Sequence, residues 1–182
     1  MTAASVDQLA QVIDEAERLV AGIRSDQWTA PTPCGEWTVR DLINHVSGGD
    51  RVFTAALTGD ERKPSDDDPV AEFGAASADL VAAFRLPDVL AKVVTVPFGE
   101  VPGAVALHLR ITEILAHSWD LARATGQSAT FPDDIIEQEL VFTEGALAAI
   151  PPSRTPFATP QPAAENAPAL DRLAALLGRS LD

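Results

Sequence analysis

Glu113 and His117 are the two side chains whose types and spacing first suggest chemistry. They lie four residues apart in the segment 111–126, ITEILAHSWDLARATG, whose pattern predicts the second half of a helix. Side chains at positions i and i+4 project from one face of a helix, about one turn apart. A carboxylate and an imidazole placed in this way can hold one divalent metal ion between them.

The chain contains three histidines, so few residues can complete such a site. His45 is the best candidate for a third ligand, because it follows Leu42 on another predicted helix and faces the edge of an apolar stripe. His108 precedes His117 by nine residues, which places it about half a turn away in projection and off the face of Glu113. We assign His108 no role in the site, since an ordinary histidine that is buried, hydrogen-bonded or exposed on the surface would account for its presence.

These residues also have plainer interpretations. A Glu–His pair at this spacing often arises by chance on an exposed face, and a lone histidine beside an apolar stripe usually belongs to the core or its rim. Glu113, however, is flanked by apolar residues, and a carboxylate on an inner face is costly to bury without a cation or a proton. Asp120 could orient the second ring nitrogen of His117 from outside the ligand set. It could equally pair with Arg123 or Arg110, or lie exposed on the surface.

The ligand types narrow the choice of metal. Two histidines and one glutamate favour zinc, while nickel and iron also accept them. Three protein ligands leave a fourth position open, as in catalytic zinc sites. A di-iron carboxylate bundle is excluded because it needs Glu-x-x-His twice and two further glutamates, whereas this chain has Glu-x-x-x-His once. The HExxH string of zincins is also absent.

Capping signals and periodicity predict the elements that position these side chains. Ser5 with Gln8 and Thr38 with Asp41 form two capping boxes, and the second begins the helix that carries His45. The predicted elements are a helix at 5–24, the His45 helix from residue 38, a helix at 68–85, a β-prone segment at 92–96, a turn-rich link at 97–103, a helix at 103–125 capped by Gly126, a helix at 133–150, an irregular strap at 151–167 and a final helix at 168–177.

Two smaller features carry separate expectations. Gly48 and Gly49 should either loosen the His45 helix or allow close backbone approach.

Cys34 is the single cysteine, which rules out an internal disulfide and a multi-cysteine metal cluster. It lies in a loop near Trp37, and we expect an unreactive small residue, because nothing in the sequence places it against a base or a cation.

The composition limits the partners. Hydrophobic residues make up 46% of the 182-residue chain, enough for one packed domain. The formal charge of −14 disfavours nucleic acid and anionic membrane surfaces. No apolar run approaches a membrane span, and the N-terminus lacks a signal-peptide pattern, so we expect a cytoplasmic protein. The absence of tyrosine and the abundance of alanine suggest a high-GC bacterial source.

Several short segments combine into a specific pattern that covers nearly the whole chain. They are 32–34 (TPC), 37–42 (WTVRDL), His45, 97–100 (PFGE), Pro102 with Gly103, 113–117 (EILAH), 119–126 (WDLARATG), 172–173 (RL) and 177–179 (LGR). The pattern resembles the DinB-like helical-bundle metal-binding proteins. Within them it is most similar to the branch related to the N-terminal domain of mycothiol-dependent maleylpyruvate isomerase.

The resemblance implies an all-α fold, an up-down-down-up four-helix bundle with a divalent metal, usually zinc, at its open end. To this we add a short β decoration and a short C-terminal helix. It implies that His45, Glu113 and His117 are the ligands; DinB-like relatives often use three histidines, and Glu113 takes one of those places, as in the isomerase branch. We expect residues 1–150 to form the metal-binding bundle and residues 151–182 to pack on the same domain.

The resemblance also implies a chemistry. A low-molecular-weight thiol such as mycothiol would be deprotonated on the metal and attack a small electrophile, as in a transferase or an isomerase. Water in the same position would support hydrolysis. The alternatives are a non-catalytic metal-binding bundle that serves as a binding or regulatory module, and a metal-free structural bundle. Small molecules are the expected partners, and a homodimer is possible.

One departure from the family pattern concerns the substrate. The isomerase carries a sizeable C-terminal domain that helps to bind substrate, whereas only about thirty residues follow Ile150 here. We therefore do not expect this chain to isomerise maleylpyruvate.

Overall fold

Capping boxes begin the first two helices where the sequence predicts them. The Ser5 hydroxyl accepts from the Gln8 backbone N–H, while the Gln8 side chain accepts from the Ser5 N–H, and α1 follows at Val6–Ala21. Thr38 and Asp41 make the same reciprocal pair ahead of α2, Val39–Thr58. Each box satisfies backbone donors that the first helical turn leaves unpaired, which fixes the start of the helix.

The computed structural model describes residues 3–61, 63, 68–97, 99–149 and 157–181. After α1 and α2, the described elements are α3 (Pro69–Phe84), a 3-10 turn (Val89–Ala91), β1 (Val93–Val96), β2 (Gly99–Pro102), α4 (Gly103–Thr125), α5 (Asp133–Ala149) and α6 (Ala169–Leu176). These bounds agree closely with the predicted ones. Ile150, the predicted end of α5, lies outside the described residues.

The direction of α3 follows from its contacts with α1. Near the start of α1, Asp7 Oδ1 lies 3.7 Å from Nη2 of Arg85, the residue just after α3. Glu17, near the end of α1, lies beside Gly74 in the first half of α3. The two helices therefore run antiparallel.

The directions of α2 and α4 complete the topology. The backbone N–H of Ala4 reaches His108 near the start of α4, and the carbonyl of Leu19 reaches Gln127 just beyond its end, so α1 and α4 run in parallel. His45 and Asp50 of α2 contact Glu113 and Arg110 of α4 in reverse order. The bundle is therefore up-down-down-up, as predicted.

Helix α4 is the central element of the fold. Most of its residues are buried, and it contacts α1, α2, α5 and α6. Its buried set includes polar and charged residues as well as apolar ones. The helix carrying Glu113 and His117 therefore lies inside the bundle, and its polar side chains need buried partners. None of the described helices combines the length and the apolar character that crossing a membrane requires.

A short hairpin links α3 to α4. Strands β1 and β2 pair antiparallel, with Val93 opposite Pro102 and Val96 opposite Gly99. This is the predicted β decoration. Phe98 lies outside the described residues.

The C-terminal segment packs against α4 and α5. The indole N–H of Trp119 on α4 donates to Asp171 on α6 at 2.7 Å. Gly178 has a φ of +89° and lies so close to Ala158 that a Cβ there would meet the Ala158 Cβ at 2.6 Å. Within the predicted strap, residues 151–156 lie outside the described residues, and residues 157–167 form neither helix nor strand.

Candidate metal centre

Three side chains from two helices of the bundle meet at one point. His45 comes from α2, and Glu113 and His117 come from α4, with one nitrogen or oxygen of each within 4.8 Å of the others. His45 Nε2 lies 3.0 Å from Glu113 Oε1. The rings of His45 and His117 meet edge to face, with centroids 5.1 Å apart. The structure thus brings together the three residues predicted as ligands.

Glu113 divides its two carboxylate oxygens between different partners. Arg110, one turn earlier on α4, donates from Nη1 to Oε2 at 2.6 Å, and Oε1 faces His45. Burial alone would raise the pKa of Glu113, but the Arg110 guanidinium and the hydrogen bond from His45 outweigh it and lower this pKa to about 2. The side chain is 17% exposed, so Glu113 is a largely buried, ionised carboxylate.

His117 is held from behind by a buried carboxylate. Its Nδ1 lies 3.1 Å from Asp120 Oδ2, so we place the ring proton on Nδ1, with Nε2 free to bind a metal. Burial lowers the pKa of His117, although Asp120 opposes that shift. The ring is therefore neutral near pH 7, which is the form that binds metals.

Asp120 in turn pairs with an arginine from the C-terminal segment. Arg179 donates from Nη2 to Oδ2 at 2.9 Å and from Nε to Oδ1 at 3.3 Å. Burial alone would raise the pKa of Asp120, but the hydrogen bonds from His117 and Arg179 have the larger effect. The pKa of Asp120 is therefore lowered. Asp120 is fully buried and contacts His117 as the sequence analysis suggested, so the alternatives of a surface carboxylate or a pair with Arg123 or Arg110 do not apply.

His45 is the most exposed of the three side chains, at 41%. The Trp37 ring lies against it, with centroids 4.5 Å apart, and also lies 6.1 Å from the His117 ring. Trp37 immediately precedes the cap of α2, so the loop that begins this helix also packs its aromatic side chain over the cluster.

Arg110 is the residue at this site that the sequence analysis missed. It is fully buried and also donates from Nη2 to Asp50 Oδ1 at 2.5 Å. A Cβ on Gly49 would lie 2.5 Å from Arg110 Nη1. Helix α2 continues unbroken through both glycines, so the expected loosening does not occur. The close approach to the backbone at Gly49 is made by the Arg110 side chain.

One signal in the sequence could have shown that Asp50 needs a buried cation, although it does not identify Arg110. Asp50 falls at the same helical spacing as Ile43, Val46 and Phe53, which form the buried stripe of α2. A carboxylate in that stripe needs a buried cation beside it.

The cluster lies in the wall of a cavity of about 470 Å³. Apolar side chains from α4, α5 and the C-terminal segment form much of the remaining wall: Leu109, Phe142, Ala146, Leu147, Phe157 and Leu177. The hydroxyl-bearing residues Thr112 and Thr143 also line it. An exogenous molecule in this cavity would contact the ligand side chains directly.

His108 lies in a separate buried hydrogen-bond network, in agreement with our not assigning it to the metal site. Its Nδ1 is 2.8 Å from Glu139 Oε1, and its Nε2 accepts from the backbone N–H of Ala4 at 3.2 Å. Thr112 Oγ1 donates to the same carboxylate at 3.0 Å. Both ring nitrogens are thus occupied by bonds that join α4 to α5 and to the N-terminal segment.

The sequence was compared with known protein families. Residues 9–122 match the family described as the mycothiol maleylpyruvate isomerase N-terminal domain. The chain belongs to this family. The family covers α1 to most of α4, and therefore all three residues of the cluster.

The chain is also similar to a curated protein and to two solved structures. The chain is 39% identical over 172 residues to the uncharacterized protein Rv0738 of Mycobacterium tuberculosis, covering 92% of this chain and 93% of that protein. A DinB-like protein of Bacillus subtilis superposes with a TM-score of 0.57 at 14% identity, over 70% of this chain and 94% of that one. The mycothiol-dependent maleylpyruvate isomerase superposes with a TM-score of 0.52 at 20% identity, over 75% and 70%. These two structures show a shared fold.

The three side chains fit a divalent metal. Ligands about 2 Å from a tetrahedral zinc ion lie a little over 3 Å apart, and His45 Nε2 and Glu113 Oε1 are 3.0 Å apart. The carboxylate is ionised, His117 is neutral, and two of the three ligands have an outer hydrogen-bond partner that orients them.

A second group of possible ligands shares His117 and fits a metal less well. It consists of Cys34, His117 and Asp120. Both oxygens of Asp120 already accept from Arg179. Burial, with Asp120 nearby, raises the pKa of Cys34 even though Arg179 lies 3.8 Å from its sulfur. Nothing in the sequence indicated this cation, but the raised pKa keeps the thiol protonated and a poor ligand.

Proposed function

We propose that this protein binds one divalent metal ion, zinc by the preference of its ligand types, through His45, Glu113 and His117. We further propose that it uses a low-molecular-weight thiol of the mycothiol type against a small electrophile, as a transferase or an isomerase. The observation that carries this proposal is the convergence of the three side chains in the wall of a cavity large enough for a small molecule.

A metal ion at this position would supply a Lewis acid that favours the thiolate over the thiol at neutral pH. The chain's own residues supply the rest. Arg110 and Asp120 orient Glu113 and His117, and Trp37 packs over His45. The apolar wall excludes water from the space where the nucleophile and the electrophile would meet.

The cavity wall favours an electrophile with an apolar body. Among the described lining residues, Arg179 is the only arginine or lysine, and its charge is balanced by Asp120. A dianionic substrate would find no unpaired cation in that lining apart from the metal. This agrees with the expectation that maleylpyruvate is not the substrate.

The cavity also bears on the non-catalytic alternative. A structural metal site is closed, with four protein ligands. Here three ligands of the proposed set face a space that a small molecule can enter, which supports catalysis over a purely structural or regulatory role.

Thermal unfolding with and without metal tests the thiol proposal. Mycothiol should raise the melting temperature of zinc-loaded protein, because a ligand that binds only the folded state stabilises it. S-methyl mycothiol, which has no free thiol, should raise the melting temperature much less. Neither compound should raise the melting temperature of protein stripped of metal with EDTA. Equal stabilisation by the free and the methylated thiol, or stabilisation of the stripped protein, would contradict a metal-bound thiolate.

A further inference from the structure

Arg110 connects the proposed ligand Glu113 to two further helices. Both its side chain and that of Asp50 are fully buried. Its guanidinium donates to Glu113 Oε2 at 2.6 Å, to Asp50 Oδ1 at 2.5 Å and to the Val46 carbonyl at 3.3 Å. The second oxygen of Asp50 accepts from Ser77 on α3 at 2.9 Å.

The backbone is shaped around this cluster. Gly49 is the residue beneath the guanidinium, and a Cβ there would lie 2.5 Å from Arg110 Nη1 and 3.2 Å from its Cζ. At the neighbouring Gly48, nothing lies within 4 Å of a built Cβ. One glycine of the pair therefore accommodates Arg110, and the other does not contact it.

The arrangement is a costly way to stabilise a fold. Desolvating three charges is unfavourable, and well-packed apolar residues of similar volume often stabilise a protein as much or more. Within the described part of the chain, Arg110 Nε has no hydrogen-bond partner, which adds to the cost. A contribution to stability alone therefore does not explain the cluster.

We propose that Arg110, fixed by Asp50, is a positioning residue for the metal site. It occupies Oε2 of Glu113 and leaves Oε1 as the oxygen that faces His45. A carboxylate held in this way offers one oxygen to a metal ion and keeps another coordination position open for an exogenous ligand. This inference rests on the proposed function, because it assumes that the three residues bind a metal.

The double variant Asp50→Asn with Arg110→Met separates positioning from stability. It removes Asp50 and Arg110 together, so no unpaired charge remains at position 50, while Glu113 keeps its contact with His45. Urea titration of the metal-free variant establishes that it folds. We expect its zinc dissociation constant, measured by competition with a chelating dye, to rise 10- to 100-fold, as for other residues that orient a metal ligand. A purely structural cluster would change the urea midpoint and leave zinc affinity unchanged.

The coordination number provides a readout that stability cannot imitate. With Oε2 released, Glu113 can offer both oxygens, so the visible absorption of the Co²⁺-loaded double variant should weaken relative to wild type, as expected on going from four to five ligands. Identical Co²⁺ spectra and identical zinc affinities in the folded double variant would overturn the positioning role.

Gly49→Ala and Gly48→Ala form a matched pair that keeps every charge. Gly49→Ala should displace Arg110 and weaken zinc binding, whereas Gly48→Ala should bind zinc as wild type does. Equal affinity in the two variants would overturn the proposal even if the double variant fails to fold. If wild-type protein binds no zinc, the proposed function fails and this inference fails with it; if wild type binds zinc and the variants match it, only this inference fails.

Discussion

At the scale of single residues, Glu113 combines burial with a full negative charge. One of its oxygens is held by Arg110 and the other lies beside His45. These neighbours therefore keep the buried carboxylate ionised, which is the form that the proposed metal ion would need.

This charge makes stability depend on pH in a defined direction. The pKa of Glu113 is lowered from 4.5 to about 2 in the folded protein. A lowered folded-state pKa contributes stability above the unfolded-state value, and that stability is lost as the pH falls from about 4.5 towards 2. The contribution is on the order of 3 kcal/mol.

We therefore expect Glu113→Gln to flatten the acid side of the stability profile of the metal-free protein. The free energy of unfolding, from urea titrations at a series of pH values, should fall less steeply below about pH 4.5 than in wild type. Parallel profiles for the two proteins would show that Arg110 and His45 do not hold the carboxylate ionised.

At the scale of elements, two antiparallel helices determine where the ligands meet. Helix α2 runs against α4, so His45 faces Glu113 while Asp50 faces Arg110 one turn further along. The start of α2 is fixed by the capping box of Thr38 with Asp41. The position of His45 along the bundle therefore depends on a local signal a few residues upstream.

A matched pair of cap variants tests this dependence. Ser5→Ala and Thr38→Ala each remove one capping box, so each should lower the free energy of unfolding by about 1 kcal/mol in urea titrations. Only Thr38→Ala should also weaken zinc binding, because only α2 carries His45. Zinc affinities that fall equally in both variants would indicate a general loss of stability.

The elements were predictable because their signals are local. The capping boxes and the left-handed cap at Gly126 each act within a few residues, and the structure places the helix ends there. The i,i+4 spacing of Glu113 and His117 is equally local.

The supporting contacts were not predictable because they join distant parts of the chain. Asp120 pairs with Arg179, 59 residues away, and Arg110 pairs with Asp50, 60 residues away. Helical periodicity identifies which face is buried, but it does not say which buried charges meet across that face. The sequence offered nearby arginines for Asp120, and tertiary packing selected another.

At the scale of the whole molecule, the C-terminal segment belongs to the site. Phe157, Leu177 and Arg179 line the cavity, and Arg179 also holds the carboxylate behind His117. The segment was expected to pack on the bundle. Its contacts show in addition that the last residues of the chain form one wall of the space beside the proposed ligands.

Two arginines of this segment should differ sharply when replaced. Arg179→Met leaves Asp120 buried without its main partner, and we expect a loss of roughly 3 kcal/mol in the free energy of unfolding. Arg172→Met removes a partly exposed pair with Glu137 and should cost less than about 1 kcal/mol. Urea titrations of both variants check this, and equal losses would contradict the role of Arg179 in anchoring the segment.

The metal content of protein purified without a histidine tag tests the central claim most directly. We expect one divalent ion per chain in wild type and in His108→Gln, and none in His117→Ala, with circular dichroism showing that all three are folded. The two substitutions lie on the same helix and differ in whether the histidine faces the cluster. Wild-type protein that holds no metal and takes up none on titration, or a His117→Ala variant that keeps its full metal content, would contradict the account.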